Sequence, residues 1–179
     1  MRIICVAGAS SGVGKTTVAC GMLSHLPGWA ALKVTAYARG SCPHQRGCNV
    51  CSTLKRPYRL LEMTPENDLP DKDTWRLRQA GALRVLWLIT RPEAIGRGLK
   101  KALQRLKAVP GVVIEGNSAV PWVGADLVVM VRRRGRNAPS PSARAAADYA
   151  NTTIILDEKM SKTRLEQACR RILLPRFRE

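Results

Sequence analysis

The sequence predicts an α/β fold, a mostly parallel sheet with helices on both faces. Apolar runs of strand length recur along the chain, and segments of helical period alternate with them. The first apolar run also passes through a glycine-rich turn straight into a helix.

Residues 3–7, Ile-Ile-Cys-Val-Ala, form an unbroken apolar run, as a strand covered on both faces requires. A helix is expected over 15–26; Pro27 and Gly28 then break the chain before a second strand at 29–34. The segment 38–57 has no hydrophobic period and holds half the cysteines, so it reads as an insertion. Alternation resumes with a strand at 58–63, a helix at 73–80 and a strongly apolar strand at 84–89. Thr90, Pro92 and Glu93 are helix-start residues, and Leu99, Ala102, Leu103 and Leu106 recur on one helical face. Further buried strands are expected at 112–114 and 127–131. A helix at 143–149, a strand at 152–156 and a closing helix at 161–174 follow, the last with Leu165, Ala168, Cys169, Ile172 and Leu173 inward. Ligand chemistry in such a sheet lies at the carboxyl ends of the strands.

At 179 residues the chain fits one domain carrying the 38–57 insertion. No run approaches the roughly 20 apolar residues of a membrane span, and the N-terminal run is too short to be a signal peptide, so a cytoplasmic protein is expected. Thirty basic against thirteen acidic residues leave a net charge of +17, which favours anionic partners. No Asp or Glu precedes Glu62, so the first third carries only positive formal charge. Arg132, Arg133, Arg134 and Arg136 make a second basic cluster, for which a solvated loop is the plainer reading. A nucleic-acid role rests on charge alone, with one Phe and three Tyr offering little for base stacking.

Gly8-Ala9-Ser10-Ser11-Gly12-Val13-Gly14-Lys15-Thr16-Thr17 joins the first strand to the first helix. Its spacing is that of a phosphate-binding P-loop, with Ala9 at the usual first glycine and Gly8 one residue earlier. Gly12, Val13 and Gly14 would turn backbone N–H groups inward while the helix from Lys15 presents its positive end to phosphate. Lys15 suits the β and γ phosphates of ATP or GTP, Thr16 the Mg²⁺ ion and Thr17 the α phosphate. A second acid must help hold that ion. Glu115, at the end of the apolar Val112-Val113-Ile114 and followed by Gly116, is the first candidate; Glu62 and Asp73 are the reserves.

The loop and the strand end Ile114-Glu115-Gly116 resemble the branch of P-loop proteins containing dethiobiotin and cobyrinic acid synthetases. Partition and septum-site ATPases of that branch carry a second lysine where Ser10 stands here, which sets them aside. A closer resemblance is to the molybdopterin-guanine dinucleotide biosynthesis adapter family (MobB-like). Leu32-Lys33-Val34-Thr35 looks like that family's Ile-Lys-His-Thr strand end. Asp71-Lys72-Asp73-Thr74-Trp75-Arg76-Leu77-Arg78-Gln79-Ala80-Gly81-Ala82 looks like its Gly-Lys-Asp-Ser-x-Arg-x-Arg-x-Ala-Gly-Ala helix. The resemblance covers residue 3 to about 116 and implies a GTP-binding, weakly hydrolysing accessory protein of molybdenum cofactor synthesis, commonly a homodimer. Its implied partners are a molybdopterin-type ligand or a nucleotidyltransferase. It also implies places near nucleotide or pterin for Lys33, Asp73, Arg76 and Arg78. With Lys15 and Glu115 from the loop and strand end, Asp73 completes the expected catalytic set. An exposed helix with ion pairs such as Asp73 to Arg76 would account for the same residues. The chain departs from the family at Val34 and at Asn117-Ser118, and it lacks an Asn-Lys-x-Asp guanine motif, so GTP over ATP comes from the resemblance.

Cys42, His44, Cys48 and Cys51 follow Cys-x-His-x₃-Cys-x₂-Cys, four ligands that suffice for tetrahedral Zn²⁺. An iron-sulfur cluster shared across a dimer, free thiols or a Cys48/Cys51 redox pair are the alternatives. Cys5, Cys20 and Cys169 lie in strand or helix patterns, where cysteine behaves as a small hydrophobe. Two further functions stay open at this level: an ATP-dependent kinase or synthetase on a small anionic metabolite, and a metal-trafficking NTPase using the cysteine cluster.

Overall fold

The computed structural model describes residues 1–37, 56–135 and 139–177. Strands β1 (Arg2–Gly8), β2 (Ala30–Ala36), β3 (Tyr58–Met63), β4 (Val85–Thr90), β5 (Gly111–Glu115), β6 (Leu127–Arg133) and β7 (Thr152–Leu156) form one sheet in the order β3-β4-β2-β5-β1-β6-β7. Every pairing is parallel except β3 with β4. Helices α1 (Lys15–Leu23), α2 (Asp73–Gln79), α3 (Ile95–Arg105), α4 (Pro141–Ala147) and α5 (Lys162–Leu173) connect the strands, with short 3-10 turns at Pro92–Ala94 and Asn117–Trp122.

The sheet is an apolar plane filled from both sides. Ile4, Val6, Ala31, Val113 and Val129 face Val18 and Met22 of α1, Leu77 of α2 and Leu165 of α5. Cys5, Leu32, Leu88, Ile114 and Met130 face Leu99 and Ala102 of α3, Ala146 of α4 and Val120. This alternation along each strand puts consecutive residues on opposite faces, which is why central strands here are apolar throughout. Ser140 and Ser161 cap α4 and α5 by accepting the Ala143 and Arg164 amides. Cys5, Cys20 and Cys169 line these layers, and burial pushes the Cys5 and Cys169 thiols up to about 12 and that of Cys20 to about 11. They pack as small apolar groups.

Some boundaries move for physical reasons. Helix α1 ends at Leu23 because residues 24–26 tighten into turns, with the His25 and Leu26 amides bonding to Met22 and Leu23. Strand β2 runs on to Ala36, because Thr35 and Ala36 find partners in Ile89 and Thr90. Thr90, a helix-start residue by type, is the last residue of β4, and the helix signal belongs to Pro92. The cysteine cluster Cys42, His44, Cys48 and Cys51 lies outside the described residues, as does Arg136. Among the described residues no helix is long and apolar enough to cross a membrane.

Candidate functional site

The carboxyl end of β1 opens into the loop 8–14, and neighbouring strands deliver charged residues beside it. Register fixes their places: Val6 lies opposite Glu115, Glu115 opposite Lys33, and Lys33 opposite Trp87. Glu115 and Lys33 therefore share the sheet face that α1 and α2 cover. Asp73 opens α2 from above that face.

The base of the loop is tied down on both sides. Gly8 donates its N–H to Asn117 Oδ1 at 2.8 Å and accepts from Asn117 Nδ2 at 2.9 Å. The Ala9 amide bonds to the Val131 carbonyl, and the Ala9 carbonyl accepts from Ser140, the cap of α4. Gly8 has to be glycine: a Cβ there would lie 2.6 Å from Val13 Cγ1 and 2.7 Å from Lys15 Cγ, so the lysine stem passes directly over it. Lys15 Nζ donates to the Ser10 carbonyl across the loop at 3.1 Å. Gly14, at φ +103°, makes the final turn into α1, and a Cβ there would meet Leu156 Cδ1 at 2.4 Å.

Helix α1 begins with no acidic residue in its first turn and no side-chain cap. Its first N–H groups are therefore left to an outside acceptor, and the helix dipole favours an anionic one. Lys15 adds a formal charge at the same place. Burial lowers its pKa below the usual lysine value and nearby Lys33 adds to this, while Glu115 and Asp73 work in the opposite sense.

Thr16 is buried at 7 % exposure, and its hydroxyl lies 3.0 Å from Asp73 Oδ1 and 2.9 Å from Glu115 Oε1. A hydroxyl carries one proton and can donate to only one of them. The remaining oxygen pair is a close contact between acceptors, which a cation among them would relieve. Glu115, 3 % exposed, also leaves Oε2 buried without a hydrogen-bond partner. Thr16, Asp73 and Glu115 thus fit a hard divalent cation such as Mg²⁺, which takes one or two carboxylates and completes its shell with phosphate and water oxygens. No group of three or more His, Cys, Asp and Glu side chains gathers among the described residues, so a cation here depends on that added shell.

Lys33 lies between the acids, 2.5 Å from Asp73 Oδ2 and 3.3 Å from Glu115 Oε1. Burial disfavours the charge on its ammonium, yet Glu115 and Asp73 outweigh burial and hold its pKa above the usual lysine value. Burial likewise disfavours the Asp73 carboxylate, but Lys33, Thr16 and Arg76 prevail and hold it below the usual range.

The two arginines of α2 have different partners. Arg76 Nη2 donates to Thr17 Oγ1 at 3.0 Å, beside the loop. Arg78 turns instead to Asp68, 3.2 Å away; Asp68 is buried and accepts a further bond from Thr74 Oγ1 at 2.6 Å. Arg78 thus anchors α2 to the turn before it. The reserve acid Glu62 is engaged by Arg84, the residue just before β4, with bonds of 2.9 and 3.0 Å. Arg132, Arg133 and Arg134 are exposed just beyond Val131, at the same end of the sheet as the loop.

Asn117 escaped the sequence reading as a contributor. Its signal was an amide directly after a strand-end glycine, and its partner Gly8 is 109 residues away. No protein-family model matches this sequence, and no curated protein matches it significantly.

Proposed function

We propose that this chain is a P-loop protein that binds a nucleoside triphosphate with Mg²⁺ and hydrolyses it slowly. The observation that carries the reading is the Thr16 hydroxyl, set between Asp73 and Glu115 in the first turn of the helix that follows the glycine-rich loop. In this reading the free N–H groups at the start of α1, with Lys15, bind the β and γ phosphates, and Arg76 and Thr17 lie toward the α phosphate. Thr16, Glu115 and Asp73 hold the Mg²⁺, which when bound neutralises charge on the terminal phosphates. Asp73, the more exposed of the two acids, takes the role of orienting an attacking water in this reading.

GTP preference and a role as accessory protein in molybdenum cofactor synthesis, with a molybdopterin-type ligand or a nucleotidyltransferase as partner, are supported by the resemblance of residues 71–82 and of Lys33. Titration with labelled GTP and ATP analogues in Mg²⁺, with Lys15→Ala as control and zinc and iron measured in the same sample, tests the reading. GTP preference lost in Lys15→Ala supports it. Equal binding by wild type and Lys15→Ala sinks the P-loop reading; ATP preference with bound metal moves the function to a kinase, synthetase or metal-trafficking NTPase.

A further inference from the structure

The acid pair beside the loop already holds a cation of the chain's own. Lys33, on β2, contacts both Asp73 of α2 and Glu115 of β5, and so reaches two of the three groups that fit a divalent ion. An ammonium and a divalent ion cannot both keep full contact with the same two carboxylates, because like charges a few ångström apart repel strongly where water is scarce. The Glu115 oxygen left without a partner shows that the ammonium does not saturate the pair. One ammonium against two carboxylates leaves the donor set only half neutralised and incompletely satisfied by Lys33.

We propose that Lys33 is a resident counter-cation that keeps free Mg²⁺ off Asp73 and Glu115, so that the metal is admitted only together with a nucleotide whose phosphates draw the ammonium away. The inference rests on the Mg²⁺-nucleotide reading above. It assigns Lys33 two partners in succession: the carboxylates before nucleotide arrives, and an anionic phosphate afterwards. It also explains how α2 stays docked beforehand, since the Lys33 bond ties Asp73 to the sheet.

Mn²⁺, followed by electron paramagnetic resonance of the free ion, tests this on nucleotide-free protein. Wild type is expected to bind Mn²⁺ weakly, Lys33→Met about tenfold more tightly or better, and Lys33→Arg as weakly as wild type. Adding Asp73→Asn to Lys33→Met should abolish the gain, placing the ion at this acid pair. Unchanged or weaker Mn²⁺ binding by Lys33→Met overturns the proposal. Should Lys33→Met unfold because its two carboxylates are left facing each other, thermal unfolding across a Mn²⁺ series decides. A larger rise in Tm for the variant than for wild type supports the proposal, and equal rises overturn it. The nucleotide reading is judged separately, by Lys15→Ala, since no nucleotide enters the Mn²⁺ titration.

Discussion

Replacing Asn117 by alanine strips Gly8 of both hydrogen bonds that fix the start of the loop. The Asn117 amide stands in for a neighbouring strand, accepting the Gly8 N–H at 2.8 Å and donating to its carbonyl at 2.9 Å. Each bond contributes about 1 kcal/mol net, and leaving part-buried groups without partners adds to the loss, so a destabilisation of about 2–3 kcal/mol is expected. For a domain of this size that corresponds to a fall in Tm of about 4–12 °C. The loop should suffer beyond the loss of stability, because Gly8 is also where Val13 and Lys15 pack. Nucleotide affinity is expected to weaken by about tenfold, or 1.4 kcal/mol. Urea unfolding and nucleotide titration on the same preparation measure the two effects. A folded Asn117→Ala with an unchanged urea midpoint and unchanged affinity would refute the claim that this amide organises the loop.

The two arginines of α2 should separate: Arg78→Met leaves buried Asp68 unpaired and should cost about 3–5 kcal/mol in urea unfolding, whereas Arg76→Ala should weaken nucleotide binding with little change in stability. Gly116→Ala, at φ +146° with its Cβ 2.7 Å from the Val34 carbonyl oxygen, should cost about 1–3 kcal/mol or more because backbone cannot rotate away. Gly124→Ala, with nothing within 4 Å of its Cβ, should stay within about 0.5 kcal/mol by the same assay. Asp73 has a folded pKa below the usual 3.8, so its contribution to stability is full above 3.8 and lost as pH falls through the folded value; the stability gap between wild type and Asp73→Asn should shrink accordingly. Lys33 runs the other way, its contribution full below 10.5 and lost as pH rises through a higher folded value.

The sequence by itself determined the alternation of strands and helices, the mostly parallel sheet with both faces covered, and the glycine-rich turn from β1 into α1. These are local matters: an apolar run that is buried on both faces, the 3.6 period of α3 and the placement of Gly12 and Gly14 are all written within a few residues of one another. The acid Glu115 was legible for the same reason, as a charge ending a buried strand. The tertiary structure decided which distant groups meet. Strand order placed β5 between β1 and β2, which brings Glu115 beside Lys33, and the packing of α2 on that face adds Asp73. The same long-range closure gave Asn117 to Gly8 and sent Arg78 to Asp68 while its helix neighbour Arg76 went to Thr17. Two residues apart on one helix, the arginines point to different faces whatever the packing, but the partners they meet there lie on elements that helical spacing does not specify. Side-chain chemistry is carried by the sequence, whereas the pairing of charges is set by the register and packing of elements far apart in the chain.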